Sequence, residues 1–174
     1  MIKFTSLADV PSDWRAEPLR SFETGFQFHM EASVDSDCGK LTNLARRITR
    51  SFQPYDETVL IITTTGVFPS LENLSLINIF RKGLDVDSPI SETPVHIFSK
   101  NDLEVLFSVI CLCFYNFFDF FVFPSNKQVI FEGSHNEVIK FFSGNETQMR
   151  NFVTAIEPMQ LSGMSLWQLT GESK

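Results

Sequence analysis

Residues 103–123, LEVLFSVICLCFYNFFDFFVF, are the one candidate membrane span in this chain, and what they form decides what kind of protein it is. The run matches the roughly 20 residues needed to cross about 30 Å of hydrocarbon. Glu104, Asn116 and Asp119 would then each lie in or near hydrocarbon at a cost of a few kcal/mol, and no basic cluster anchors either end. The apolar period also changes partway. Leu103, Leu106, Phe107, Ile110 and Phe114 recur at helical spacing, whereas FFDFFVFP after Asn116 is too aromatic for a helix and stops at a proline. The reading is therefore a helix followed by a strand. On that strand Phe118, Phe120 and Val122 share one face, and Phe117, Asp119, Phe121 and Phe123 share the other. Two apolar faces need cover on both sides, which predicts a central strand with sheet neighbours beneath a helix. Asp119 marks where the second face meets the surface.

The rest of the chain supplies those neighbours. ETVLIITTTGVF, residues 57–68, is β-branched and apolar on both faces in its first half, as a central strand should be, with Gly66 and Pro69 closing it. VIFEG and VIKFFSG, joined by the turns PSNKQ and SHNE, extend the Phe-rich strand into a meander. Residues 19–32 read as a strand bent at Gly25, and TPVHIFS as another. Helices are expected from Asp37, with Leu41, Leu44, Ala45, Ile48 and Phe52 as the inner stripe, and from Ser70 as cap to a stop at Gly83. Asn101 or Ser99 is expected to cap the helix at 103, and Asn145 the last one. The tail from Met159 is expected to dock through Leu166 and Trp167 or to fray. The expected fold is α+β: residues 1–174 as a single domain with a central, largely antiparallel sheet and packed helices.

The chain carries a net charge of −7, which discourages contact with phosphate backbones, so nucleic acid is not an expected partner. Lys40, Arg46, Arg47 and Arg50 fall in residues 38–53, a stretch with no acid. With −7 overall and +4 there, the rest carries −11, an excess that would steer a basic partner. The four bases on one helix read as a solvated face rather than a phosphate site. The 19 Phe imply a thick core, a recognition face, or both. Cys38, Cys111 and Cys113 show no CxxC, and the last two read as core thiols in a reducing compartment. MIKFTSLADVPSDW has no basic region followed by a long apolar stretch, so the expected location is the cytoplasm, with no membrane partner.

His135 stands among Ser134, Asn136 and Glu137, which raises the question of a catalytic centre. A Ser next to a His does not make a nucleophile and base, because folds assemble those pairs from separate elements. SHNE reads better as a hairpin turn. His29 and His96 have no Cys, Asp or Glu at metal spacing, and Asp85 and Asp87 lack the further oxygen ligands of a calcium loop. No catalytic residue, metal or cofactor is expected.

TGVFPSLENLSLINIFRKG, residues 65–83, carries a Phe-Pro-Ser step, then Glu-Asn and a Leu-rich helix ending in Arg. A PxHxF strand follows (Pro94, His96, Phe98), then Asp102 opening a Leu-rich helix, an aromatic strand, the SHNE turn and VIKFFSG. In this order, from about residue 57 to 145, the pattern resembles a family of small bacterial immunity proteins encoded beside polymorphic toxins of contact-dependent or type VI systems. Asn136 departs from the Asp usual at that turn, which weakens any acid-base or metal role there. The resemblance implies a non-enzymatic protein that binds one cognate antibacterial toxin, expected to be basic, and occludes its active site. The acids expected to meet it lie in loops: Asp85, Asp87, Glu92, Asp119, Glu132 and Glu137, with His135 beside them. The rival readings are a hydrolase using His135 and Glu137 with a distant nucleophile, and an adaptor without activity.

Overall fold

The computed structural model describes residues 2–12, 26–65 and 71–168. Among them, eight strands form one antiparallel sheet in the order β1-β4-β3-β5-β6-β7-β2-β8. The strands are β1 (Lys3–Thr5), β2 (Phe28–Ser33), β3 (Glu57–Thr64), β4 (Val95–Ser99), β5 (Asp119–Pro124), β6 (Val129–Ser134), β7 (Val138–Ser143) and β8 (Ser162–Gln168). Four helices accompany them: α1 (Cys38–Ser51), α2 (Leu71–Lys82), α3 (Leu103–Tyr115) and α4 (Glu146–Ile156). The α+β class follows directly, and no described helix is long and apolar enough to cross a membrane.

The Phe-rich segment is a helix and then an inner strand, as its change of period predicts. β5 lies between β3 and β6, with Ile62 opposite Phe120 and Phe120 opposite Gly133. Its two faces serve two cores. Phe118, Phe120 and Val122 join Leu60, Phe131 and Phe141 under the helices, while Phe121 and Phe123 join Val59, Ile61, Ile130 and Phe142 on the opposite face. Helix side chains key into the first face: Phe114 meets Phe120 edge-on at 5.3 Å, and Phe152 of α4 stacks on Phe141 at 3.8 Å. The second face is covered by Val10 and Phe26, with Leu7 against them. Each fully buried Phe contributes about 2–3 kcal/mol of transfer free energy.

α1 starts where Asp37 accepts the Lys40 N–H at 2.9 Å and buries Leu41, Leu44, Ala45 and Ile48. It runs beside α3, where Arg46 grips the Glu104 carboxylate at 2.7 and 2.9 Å and lies over the Phe107 ring. Asn145 caps α4 through Thr147 and Gln148.

Three details depart from the expectations. Asp102, not Asn101 or Ser99, occupies the N-cap position of α3, and its carboxylate makes no capping bond to the helix; it accepts from the Ser99 N–H and hydroxyl and so closes the turn before it. The tail does not fray over residues 162–168. It forms β8 along β2, with Met164 and Leu166 exposed, because the open edge of β2 offers backbone pairing partners. β1 is a three-residue edge strand too short to show a period. The expectations at Gly25, Gly66, Pro69 and Ser70 lie outside the described residues.

Candidate functional site

The register gathers one set of loops at one end of the sheet. Thr64 at the end of β3 pairs with Asp119 at the start of β5, and Ile61 with Val95 at the start of β4. Ser134 and Val138 bound the β6–β7 turn at that same end, and Ser33 pairs with Val138. The segments arriving there are 34–37 before α1, 83–94 before β4, 116–118 before β5, and 135–137.

Helix α3 ends at this point with an unusual residue. The Phe118 N–H donates to the Cys113 carbonyl at 2.9 Å and the Phe117 N–H to the Phe114 carbonyl at 3.2 Å, the paired bonds of a Schellman closure. Such a closure needs a left-handed residue just beyond the cap, normally glycine. Here it is Phe117, at φ 53° with 44% of its surface exposed. An L-residue in that region costs about 1–2 kcal/mol, and a half-exposed ring does not recover it by full burial. Tyr115, 39% exposed, sits two residues earlier as the last residue of α3; its hydroxyl bonds Thr42 and donates to the Cys38 carbonyl, tying the end of α3 to the start of α1.

The turn between β6 and β7 is a three-residue hairpin loop. The Glu137 N–H donates to the Ser134 carbonyl at 3.1 Å, and Glu137 takes the left-handed conformation at φ 59° that completes such a loop. Its carbonyl accepts the Val34 N–H at 2.8 Å, which stitches the hairpin to the segment after β2. Asp119 secures the loop from the other side. Its carboxylate accepts the His135 backbone N–H at 2.7 Å and Nδ1–H at 2.8 and 2.9 Å. Both side chains are largely shielded, at 28% and 17% exposure.

A carboxylate that fixes the Nδ1–H tautomer leaves Nε2 as a base, the arrangement of two members of a hydrolytic triad. The partner of His135 is Asp119, not the Glu137 named in the hydrolase expectation; a sheet pairing sixteen residues apart in the chain brings them together. Among the described residues Nε2 bonds no hydroxyl or thiol, and the Ser134 hydroxyl accepts the Asn136 N–H at 3.3 Å. The adjoining cleft, lined by Phe117, Asp35, Leu41, Ser134 and Glu137, has a volume of about 20 Å³, room for a water-sized group.

The acids expected in loops divide. Asp85, Asp87 and Glu92 are exposed in the segment before β4, and Glu137 is exposed in the hairpin. Asp119 and Glu132 lie in strands instead. Asp119 is consumed in holding His135, and Glu132 sits within β6 opposite Lys140, their charges 3.8 Å apart, because a strand's alternating side chains place it on the sheet rather than at its end. Sequence reasoning missed Asp35, Asp37, Tyr115 and Phe117 at this end. The signal for Phe117 was there to read: a helix stop at Tyr-Asn-Phe with no glycine.

The other two histidines serve the fold. His96 is fully buried between Phe4 and Phe98, its Nδ1 against the Pro94 carbonyl and its Nε2 3.2 Å from the Arg81 guanidinium. Burial, reinforced by that cation, lowers its pKa to about 3 and keeps it neutral. Arg81, itself 1% exposed, binds the Thr93 and Ser88 carbonyls and pins the 83–94 segment. His29 stacks on Phe142 at 4.7 Å. Among the described residues no three His, Cys, Asp or Glu side chains gather to hold a metal. No family model, curated protein or solved structure matches the chain.

Proposed function

We propose that the chain is a binding protein that engages a basic protein domain with the loop end described above. On the resemblance given earlier, that domain is a cognate antibacterial toxin, met in the cytoplasm. The observation that carries the reading is Phe117, a large aromatic side chain kept half-exposed in a backbone conformation that favours glycine. Strain of that kind persists where a side chain's position is needed. Phe117 and Tyr115 are aromatic anchors of the type that dominate interface energies, and Asp37 and Glu137 place negative charge beside them suited to steering a basic partner, Asp35 being paired with Lys40. Asp85, Asp87 and Glu92 add negative charge at the same end.

The experiment uses the gene directly upstream of this chain's gene. Its C-terminal domain is expressed with and without the chain, and growth and binding are measured. Protection of growth together with a stable complex supports the proposal; absence of both contradicts it. The Asp119–His135 pair favours a second reading, a hydrolase. That reading gains if His135→Ala abolishes protection while the protein stays folded and still binds.

A further inference from the structure

The opposite end of the sheet holds a cavity of about 510 Å³ between α1, α4 and the strands β6 and β7, within the range of small-molecule sites. Its lining includes Pro54 and, almost fully buried behind it, the stacked pair Phe141 and Phe152, with Arg47, Arg50, Tyr55 and Gln148 as the polar groups. Among the described residues no carboxylate lines it, although the chain has 21 acids.

The basic face of α1, expected to be solvated, splits into two pairs. Lys40 is neutralised by Asp35 at 2.6 Å and Arg46 by Glu104 at 2.7 Å. Arg47 and Arg50 face the cavity instead. Arg47 donates through Nη1 to the Ala155 carbonyl, but its buried Nε has no hydrogen-bond partner among the described residues. Arg50 is exposed and makes no side-chain hydrogen bond or ion pair among them. The Tyr55 hydroxyl accepts from Gln148 Nε2 at 3.1 Å, leaving its own proton to donate; burial raises its pKa, so the phenol stays protonated. Two guanidinium groups and a phenol thus offer unused donors around one cavity.

From this arrangement we propose that the cavity binds a small organic anion, with a carboxylate or phosphate head held by Arg47, Arg50 and Tyr55 and an apolar, flat body against Pro54 and the Tyr55 ring. Guanidinium donors suit either head, and a ring against Pro54 and Tyr55 adds contact area that a bare anion lacks. The site lies at the other end of the sheet from Phe117, so it stands whether or not the toxin-binding reading does.

The test is a titration of the full-length ¹⁵N-labelled protein with phenyl phosphate, phenylacetate, inorganic phosphate and benzyl alcohol. Saturable shifts of the Gln148 and Asn151 side-chain amides are expected with at least one aromatic anion, and the tighter of the two identifies the head group. Arg50→Ala and Arg50→Gln, at an exposed position, should each weaken that binding at least tenfold, whereas Phe117→Gly should not change it. The proposal is overturned if neither aromatic anion gives saturable shifts. It is equally overturned if benzyl alcohol or inorganic phosphate binds as tightly as the aromatic anion, or if both Arg50 variants bind as the parent does.

Discussion

The Asp119 carboxylate holds His135 twice, at the backbone N–H and at Nδ1, and so fastens the β6–β7 loop to the first residue of β5. Sequence reasoning places Asp119 where the second face of the strand meets the surface; the two bonds hold it largely shielded there instead. Asp119→Ala leaves a shielded N–H without its acceptor and should lower unfolding free energy by about 1–3 kcal/mol. His135→Ala keeps the backbone bond and should cost less than Asp119→Ala. Urea denaturation of both variants checks the order; equal or negligible losses would remove Asp119 as the fastener.

Phe120 fills the space above Gly133 on the neighbouring strand, where any Cβ would collide with its ring. Gly133→Ala should therefore destabilise by about 1–3 kcal/mol through overpacking, and Phe120→Ala by about 3–5 kcal/mol through lost burial and cavity formation. The two changes share one contact, so the double variant should lose clearly less than the sum of the single losses. Additive losses in thermal or chemical melts would show that the ring does not rest there.

His96 gives the fold a defined acid sensitivity. Its folded pKa, near 3, lies below the ordinary value of 6.5, so the unfolded chain binds the extra proton first. Its contribution to stability is fully present above about pH 6.5 and is lost as pH falls from there toward 3, by about 1.4 kcal/mol per pH unit. His96→Gln should flatten the stability–pH curve in that window relative to the parent. Parallel curves would mean that another group carries the acid response.

What could be read from the sequence follows from the range of the interactions. The switch from helix to strand at Asn116, the two faces of β5 and the caps at Asp37 and Asn145 are local patterns, and each stands in the fold. Asp119 meeting His135, and Arg81 meeting His96, depend on strand register and on where a helix lands, which no short spacing encodes. β8 was hidden for another reason: Met164 and Leu166 stay exposed, so pairing with the edge of β2 holds the strand where an apolar period does not mark it. At the candidate site, Glu137 and His135 were named from their loop, whereas Phe117 was assigned to a strand face. It is instead the left-handed residue that closes α3.

Phe117→Gly tests the central claim most directly, because folding and binding should respond differently. Glycine relieves the left-handed backbone while losing a half-buried ring, effects that offset, so unfolding free energy should change by less than about 1 kcal/mol. The measurement is the affinity of this variant and of the parent for the basic domain encoded upstream, with association rates at about 50 mM and 500 mM salt. The account predicts an affinity at least tenfold weaker for Phe117→Gly at unchanged stability, and parent association that slows as salt rises. A Phe117→Gly variant that binds as tightly as the parent would contradict it.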